Sequence, residues 1–88
     1  MNRYDILSAI SLERDSQDSI WGPIENHLDK PLSKVMPQSD SEQGWLDILM
    51  EEVVEVTKAK TDDERKRELI QVAAVCVKWL EVLSYDNK

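Results

Sequence analysis

Apolar residues recur at helical spacing in three stretches of the chain. From Trp45 onward, at about 100° per residue, Trp45, Ile48, Leu49, Val53, Val56 and Ala59 fall on one broad stripe. Val72, Val75, Trp79 and Val82 form a second stripe. Ile6, Leu7 and Ile10, with Ala9 beside them, form a third near the N-terminus. The pattern predicts a helix over residues 2 to about 17, a second long helix running to about Lys60, and a third from about Asp62 to Tyr85. Two sequences of capping-box form mark helix starts, Ser39-Asp40-Ser41-Glu42 and Thr61-Asp62-Asp63-Glu64. The short connection at Thr61 predicts that the second and third helices form an antiparallel hairpin.

Asp18 to Asp40 holds all three prolines, a glycine and the only histidine. Pro23 and Pro31 bias Gly22 and Lys30 away from helix. A long irregular connection is expected here, with one short helix around Ile24 to Leu28. Its apolar residues Ile20, Trp21, Ile24, Leu28, Leu32 and Val35 argue for packing rather than disorder.

The stripes are interrupted by acids. Glu52 falls inside the first stripe and Glu55 on its margin, whereas Asp47 and Glu51 fall outside it, where solvated charges belong. Glu68 extends the second stripe by one turn and Gln71 sits at its edge. The four form two i, i+3 pairs, which are neighbours on a helix surface. The hairpin brings the two pairs roughly level. Carboxylates in an apolar setting cost several kcal/mol unless paired or metal-bound. A hard divalent cation with oxygen ligands, Mg²⁺ or Mn²⁺, resolves the repulsion of three converging Glu. The competing account is that these Glu are solvated faces or helix-end charges.

The inward face of the first helix turns polar at Glu13, Arg14 and Gln17. Either this helix leaves the core there, or these residues face a cavity and a ligand. The third helix is apolar nearly all round, with Ile70, Ala73, Ala74, Val77 and Leu80 opposite Val75 and Trp79. Such a helix is buried on every side. Three helices do not bury it, but a two-fold dimer pairing two hairpins into a four-helix bundle does. The expected fold is therefore all-α: N-terminal helix, long loop, and a hairpin that dimerises.

Composition narrows the function. The 88 residues suit one domain spanning 1–88. A formal net charge of −7 is wrong for a nucleic-acid polymer as partner, since that affinity rests on Lys and Arg. An anionic ligand would need a metal to be held. One cysteine, Cys76, allows no internal disulfide and fits the reducing cytoplasm. The N-terminus lacks the apolar core of a signal peptide, and no run approaches the ~20 apolar residues of a membrane span.

Glu52-x-x-Glu55 followed by Glu68-x-x-Gln71 on the next helix resembles the ExxE and ExxD signature of the MazG-type all-α nucleoside triphosphate pyrophosphatases. WLDILMEEVVEV and ELIQVAAVCVKWLEVL look like that family's metal-binding helices. ERDSQDSIWG, Glu13 to Gly22, looks like an N-terminal stretch of small MazG-like proteins. The resemblance spans about Leu12 to Leu83.

It implies a Mg²⁺-dependent enzyme that hydrolyses a nucleoside triphosphate to the monophosphate and pyrophosphate, as a homodimer or homotetramer. Glu52, Glu55 and Glu68 would be metal ligands. Gln71 stands where the family has aspartate and supplies a carbonyl oxygen without charge. Glu55 or Glu51 would take the proton of the attacking water. Lys58 and Lys78 are expected phosphate contacts, and Trp21, His27 and Trp45 are expected to recognise the base. Arg14 and Gln17 are expected at the substrate if the first helix faces a cavity. The competing readings are a catalytically inactive helical dimer that binds nucleotide or regulates a partner, favoured by Gln71, and a di-iron bundle. The latter needs Glu-x-x-His pairs, and His27 lies in the loop.

Overall fold

The computed structural model describes residues 1–33 and 43–85. Among them it contains three α-helices, one 3₁₀ turn and no strand. Helix α1 spans Arg3–Trp21. It opens on a reciprocal cap: the Asn2 side chain accepts from the Asp5 amide at 2.9 Å, and the Asp5 carboxylate accepts from the Asn2 amide. The helix runs past the expected end near residue 17, because nothing breaks it before Gly22-Pro23. Gly22 has φ 87° and donates its N–H to the Asp18 carbonyl at 3.0 Å, a backbone state that favours glycine. The 3₁₀ turn Ile24–His27 follows.

Helix α2 spans Trp45–Lys58. The expected opening box at Ser39 to Glu42 lies outside the described residues. Gly44 is the N-cap, and the Asp47 carboxylate accepts its N–H at 3.0 Å. The Trp45 and Leu46 amides donate to the carbonyls of Pro31 and Leu32 at 3.0 and 2.7 Å. The loop backbone thus satisfies two first-turn amides that the helix leaves open. That approach leaves no room for a side chain at Gly44, where a Cβ would stand 2.4 Å from the Ser33 Cα.

Helix α3 spans Asp62–Leu83. Thr61 caps it by accepting from the Glu64 amide at 3.1 Å. The expected box closes differently: the Glu64 carboxylate accepts from the Lys60 amide at 2.8 Å, one residue before the cap.

Residues 59–61 join α2 to α3 so tightly that the two run antiparallel. Trp45 at the start of α2 stacks on Trp79 near the end of α3, with ring centroids 6.0 Å apart and planes 9° from parallel. Among the described residues, Trp45, Ala74 and Val75 are the buried apolar ones. Helix α1 and the 3₁₀ turn both pack on α3.

The expected burial of Ile6 and Leu7 is not met: both are exposed, and the buried residues of α1 are Arg14 and Gln17. The reason is that α1 meets α3 through its C-terminal half, where Arg14 reaches Glu81. Leu69, Leu80 and Leu83 of α3 are exposed as well, so the single chain does not cover that helix. Among the described residues no helix is long and apolar enough to cross a membrane.

Replacing Trp45 by Ala should lower unfolding free energy by about 3–5 kcal/mol in urea titrations, since it removes a buried indole and its stacking partner's contact. Gly44→Ala should also destabilise, by about 1–3 kcal/mol, because a Cβ there meets backbone rather than a movable side chain.

Candidate functional site

The middle of the hairpin is acidic. Glu52 is half-buried on α2. Its carboxyl is held above the ordinary value of 4.5, first by burial and then by the charges of Glu68, Glu55, Glu51 and Glu13. The structure therefore brings Glu52, Glu55 and Glu68 into mutual electrostatic reach and adds Glu13 from α1. Glu55 and Glu68 also line one open cleft with Lys58, Ala59, Glu64 and Arg67. Lys58 pairs with Glu55 at 3.6 Å across one helical turn. Gln71 is half-buried one turn on from Glu68.

Among the described residues, no three Asp, Glu, His or Cys side chains close on one another as a ready ligand group. The donor set, three carboxylates and one amide carbonyl, is of the type a hard divalent cation takes. Glu51 is exposed and accepts a hydrogen bond from the Gln43 side chain, which holds it towards the helix start.

A second polar cluster lies where α1, the 3₁₀ turn and α3 meet. Arg14 is 5% exposed and donates to Asp18 at 2.7 Å and Glu81 at 2.5 Å. Its charge is opposed by burial and held by those two carboxylates, and its pKa ends above the ordinary value. Lys78 is 7% exposed, with its ammonium 6.0 Å from the Trp45 ring centroid. It is not a helix-surface lysine: burial, then the charge of Arg14, pushes its pKa down. His27 Nε2 lies 3.1 Å from the Trp21 carbonyl and donates to it. Burial and the Lys78 charge lower its pKa, which keeps it neutral near pH 7. Lys30 donates to the Gln43 carbonyl at 3.0 Å. Gln17 is buried, and its Oε1 has no hydrogen-bond partner.

The expected site residues thus divide into two groups. Glu55, Glu68 and Lys58 line one cleft at the linked end of the hairpin, with Glu52 one turn before Glu55. Arg14, Gln17, His27 and Lys78 come together at the other cluster. Trp45 is taken up in the core, stacked on Trp79, and Trp21 is 54% exposed beside His27.

Sequence reasoning missed Asp18, Lys30, Arg67 and Glu81. The i, i+4 spacing of Arg14 and Asp18 was a readable signal for one of them. Glu81 pairs with Arg14 across 67 residues, and no local pattern announces that. No known protein-family model, curated protein or solved structure matches the chain.

Because the folded state raises the Glu52 pKa, stability is full below the unfolded value and is lost as pH rises through the folded one. Glu52→Gln should therefore raise the melting temperature at pH 7 in the presence of a chelator. The gain should fade as pH drops below the ordinary value of 4.5, where the wild-type carboxyl is protonated. Thermal unfolding of both proteins across pH 4–8 checks this.

Proposed function

We propose that the chain is a divalent-cation-dependent nucleoside triphosphate pyrophosphohydrolase of the MazG type. The observation that carries this reading is an open cleft lined by Glu55 and Glu68, with half-buried Glu52 one turn before Glu55 and its carboxyl raised first by burial and then by Glu68, Glu55, Glu51 and Glu13. A protein with no use for that cluster gains by replacing one of its acids with a neutral residue. The cleft also carries two cations, Lys58 and Arg67, next to Glu55 and Glu68. Acids that collect a metal and bases that meet phosphate oxygens on one cleft suit a metal–phosphate substrate.

Glu52, Glu55 and Glu68 would hold Mg²⁺, or Mn²⁺, with the Gln71 carbonyl as a fourth oxygen. When bound, the cation supplies neutralisation of phosphate charge and a lowered pKa for water. Glu55, exposed beside Glu68 and loosely paired with Lys58, takes the proton of the attacking water. Glu51 is the weaker choice for that role because Gln43 engages it. The bond from water oxygen to the α-phosphorus forms as the α–β bridging bond breaks. Pyrophosphate leaves with the bridging oxygen, and Lys58 and Arg67 bear part of its charge. The lone Cys76 suits a cytoplasmic setting.

The bare apolar residues on α2 and α3, among them Met50, Val53, Val54, Leu69 and Leu80, support assembly of two chains into a four-helix core, as homodimer or homotetramer. A second reading is favoured by Gln71 and by the open spacing of the acids: an inactive helical dimer that binds nucleotide or regulates a partner.

Pyrophosphate release from a panel of ribo- and deoxyribonucleoside triphosphates should depend on Mg²⁺. It should drop at least a hundredfold in Glu52→Gln and Glu68→Gln while both variants stay folded. A folded dimer that releases none from any substrate supports the inactive reading instead. Gln71→Asp should tighten Mg²⁺ binding in calorimetric titration, since it adds a charged oxygen to the set.

A further inference from the structure

Helix α1 is held to the hairpin by polar side chains. Its buried residues are Arg14 and Gln17; Ala9 and Ile10 are half-buried, and Ile6 and Leu7 are exposed. Arg14 is the fastening: it donates to Glu81 of α3 at 2.5 Å and to Asp18 of its own helix at 2.7 Å. Its neighbour Glu13 is half-buried, and its charge lies within electrostatic reach of Glu52 on α2. Arg14 does not answer that carboxylate, because its ion pairs are with Asp18 and Glu81. One turn on, Gln17 is 7% exposed and its Oε1 has no hydrogen-bond donor. Residues four apart are neighbours on a helix surface, so α1 carries a half-buried carboxylate beside an unanswered buried carbonyl oxygen. Such oxygens are rare in folded proteins.

The hairpin has a matching deficit. Gln71 adds an oxygen but no charge to Glu52, Glu55 and Glu68. It also opens a stripe of α3 that continues at helical spacing through Ala74, Lys78 and Glu81. Ala74 and Lys78 are buried and Glu81 holds Arg14, so this stripe is the one turned to α1. The neutral member of the acid set therefore lies on the α1 side of α3, and Glu13 is the acid that α1 brings.

We propose that α1 is a third wall of the cation site: Glu13 supplies the negative charge that Gln71 lacks, and Gln17 Oε1 accepts from a water of the ion's shell. Arg14 is the positioning residue that docks both. This rests on the divalent-cation reading above and adds residues to the same site. Without a cation, repulsion between Glu13 and Glu52 opposes the docking of α1. With one bound, both carboxylates are attracted to it and docking is favoured. The coupling is reciprocal: the factor that docking adds to cation affinity is the factor that the cation adds to docking.

The test is calorimetric titration of Mg²⁺ into the intact protein and its variants, with hydrogen exchange of the α1 amides followed in the presence and absence of Mg²⁺. Glu13→Gln should weaken Mg²⁺ binding about ten-fold, since affinity at oxygen sites follows the count of charged ligands. Asp15→Asn removes an exposed acid from the same helix and should change it by less than about two-fold. Gln17→Leu should weaken it by about three-fold while melting no lower than the wild type, since it removes an unanswered buried oxygen. Arg14→Met separates docking from bare charge. Removing a positive charge should tighten cation binding through space, whereas loss of docking should weaken it, by about the Glu13→Gln factor. Mg²⁺ should slow exchange of the α1 amides about ten-fold in the wild type and leave Glu13→Gln unchanged. Equal Mg²⁺ affinity in Glu13→Gln and the wild type overturns this inference alone, as does tighter binding by Arg14→Met or an equal loss in Asp15→Asn and Glu13→Gln. The Glu13 and Asp15 comparison decides even where Arg14→Met does not fold. No Mg²⁺ binding by the folded wild type sinks the inference and the cation reading together. Binding weakened in Glu13→Gln, with no triphosphate hydrolysed by the wild type, sinks the hydrolase reading and leaves the third wall standing.

Discussion

The stack of Trp45 on Trp79 sets the register of α2 against α3, and every other placement in the hairpin follows from it. Seven residues on from Trp45 along α2 is Glu52. Seven back from Trp79 along α3 is Val72, with Gln71 beside it and Glu68 about one turn away. A tight link at residues 59–61 closes the other end, so the hairpin is pinned at both ends and the acids face one another between the pins. The indole pair and the short link hold them in place.

Both polar clusters of this frame combine acids with bases. The linked end of the hairpin gathers Glu55 and Glu68, bordered by Lys58 and Arg67, with Glu52 one turn before Glu55. The seam with α1 gathers Arg14, His27, Lys30 and Lys78, of which Arg14 is answered by two carboxylates and Lys78 by an aromatic ring. An 88-residue chain with a formal charge of −7 thus buries Arg14 and Lys78 at one place and leaves half-buried Glu52 crowded by other acids at another. Both arrangements cost stability in a core that counts three buried apolar residues among the described ones.

The helices and the acidic pairs were legible in the sequence because both depend on local period. The 3.6-residue stripe places Glu52 and Glu68 on faces that should be apolar, and the capping residue Thr61 fixes where the hairpin turns. What local period does not carry is which faces meet. Ile6 and Leu7 read as a buried stripe but lie exposed, because α1 docks through Arg14 and Gln17 further along. Lys78 reads as a surface lysine because a lone charge on a helix ordinarily faces solvent; its burial comes from α1 and from Trp45, which are distant in the chain. Trp45 reads as core more readily than as base platform, and its stacking on Trp79 places it in the core. The Arg14–Glu81 pair, across 67 residues, had no sequence signal at all.

The central claim is that the repelling carboxylates of the hairpin exist to bind a divalent cation. Calorimetric titration of Mg²⁺ into the wild-type protein and into a folded Glu52→Gln variant tests it most directly. The account predicts saturable binding by the wild type at neutral pH and its loss in the variant. Absence of binding by the folded wild type, or equal binding by both proteins, would contradict it.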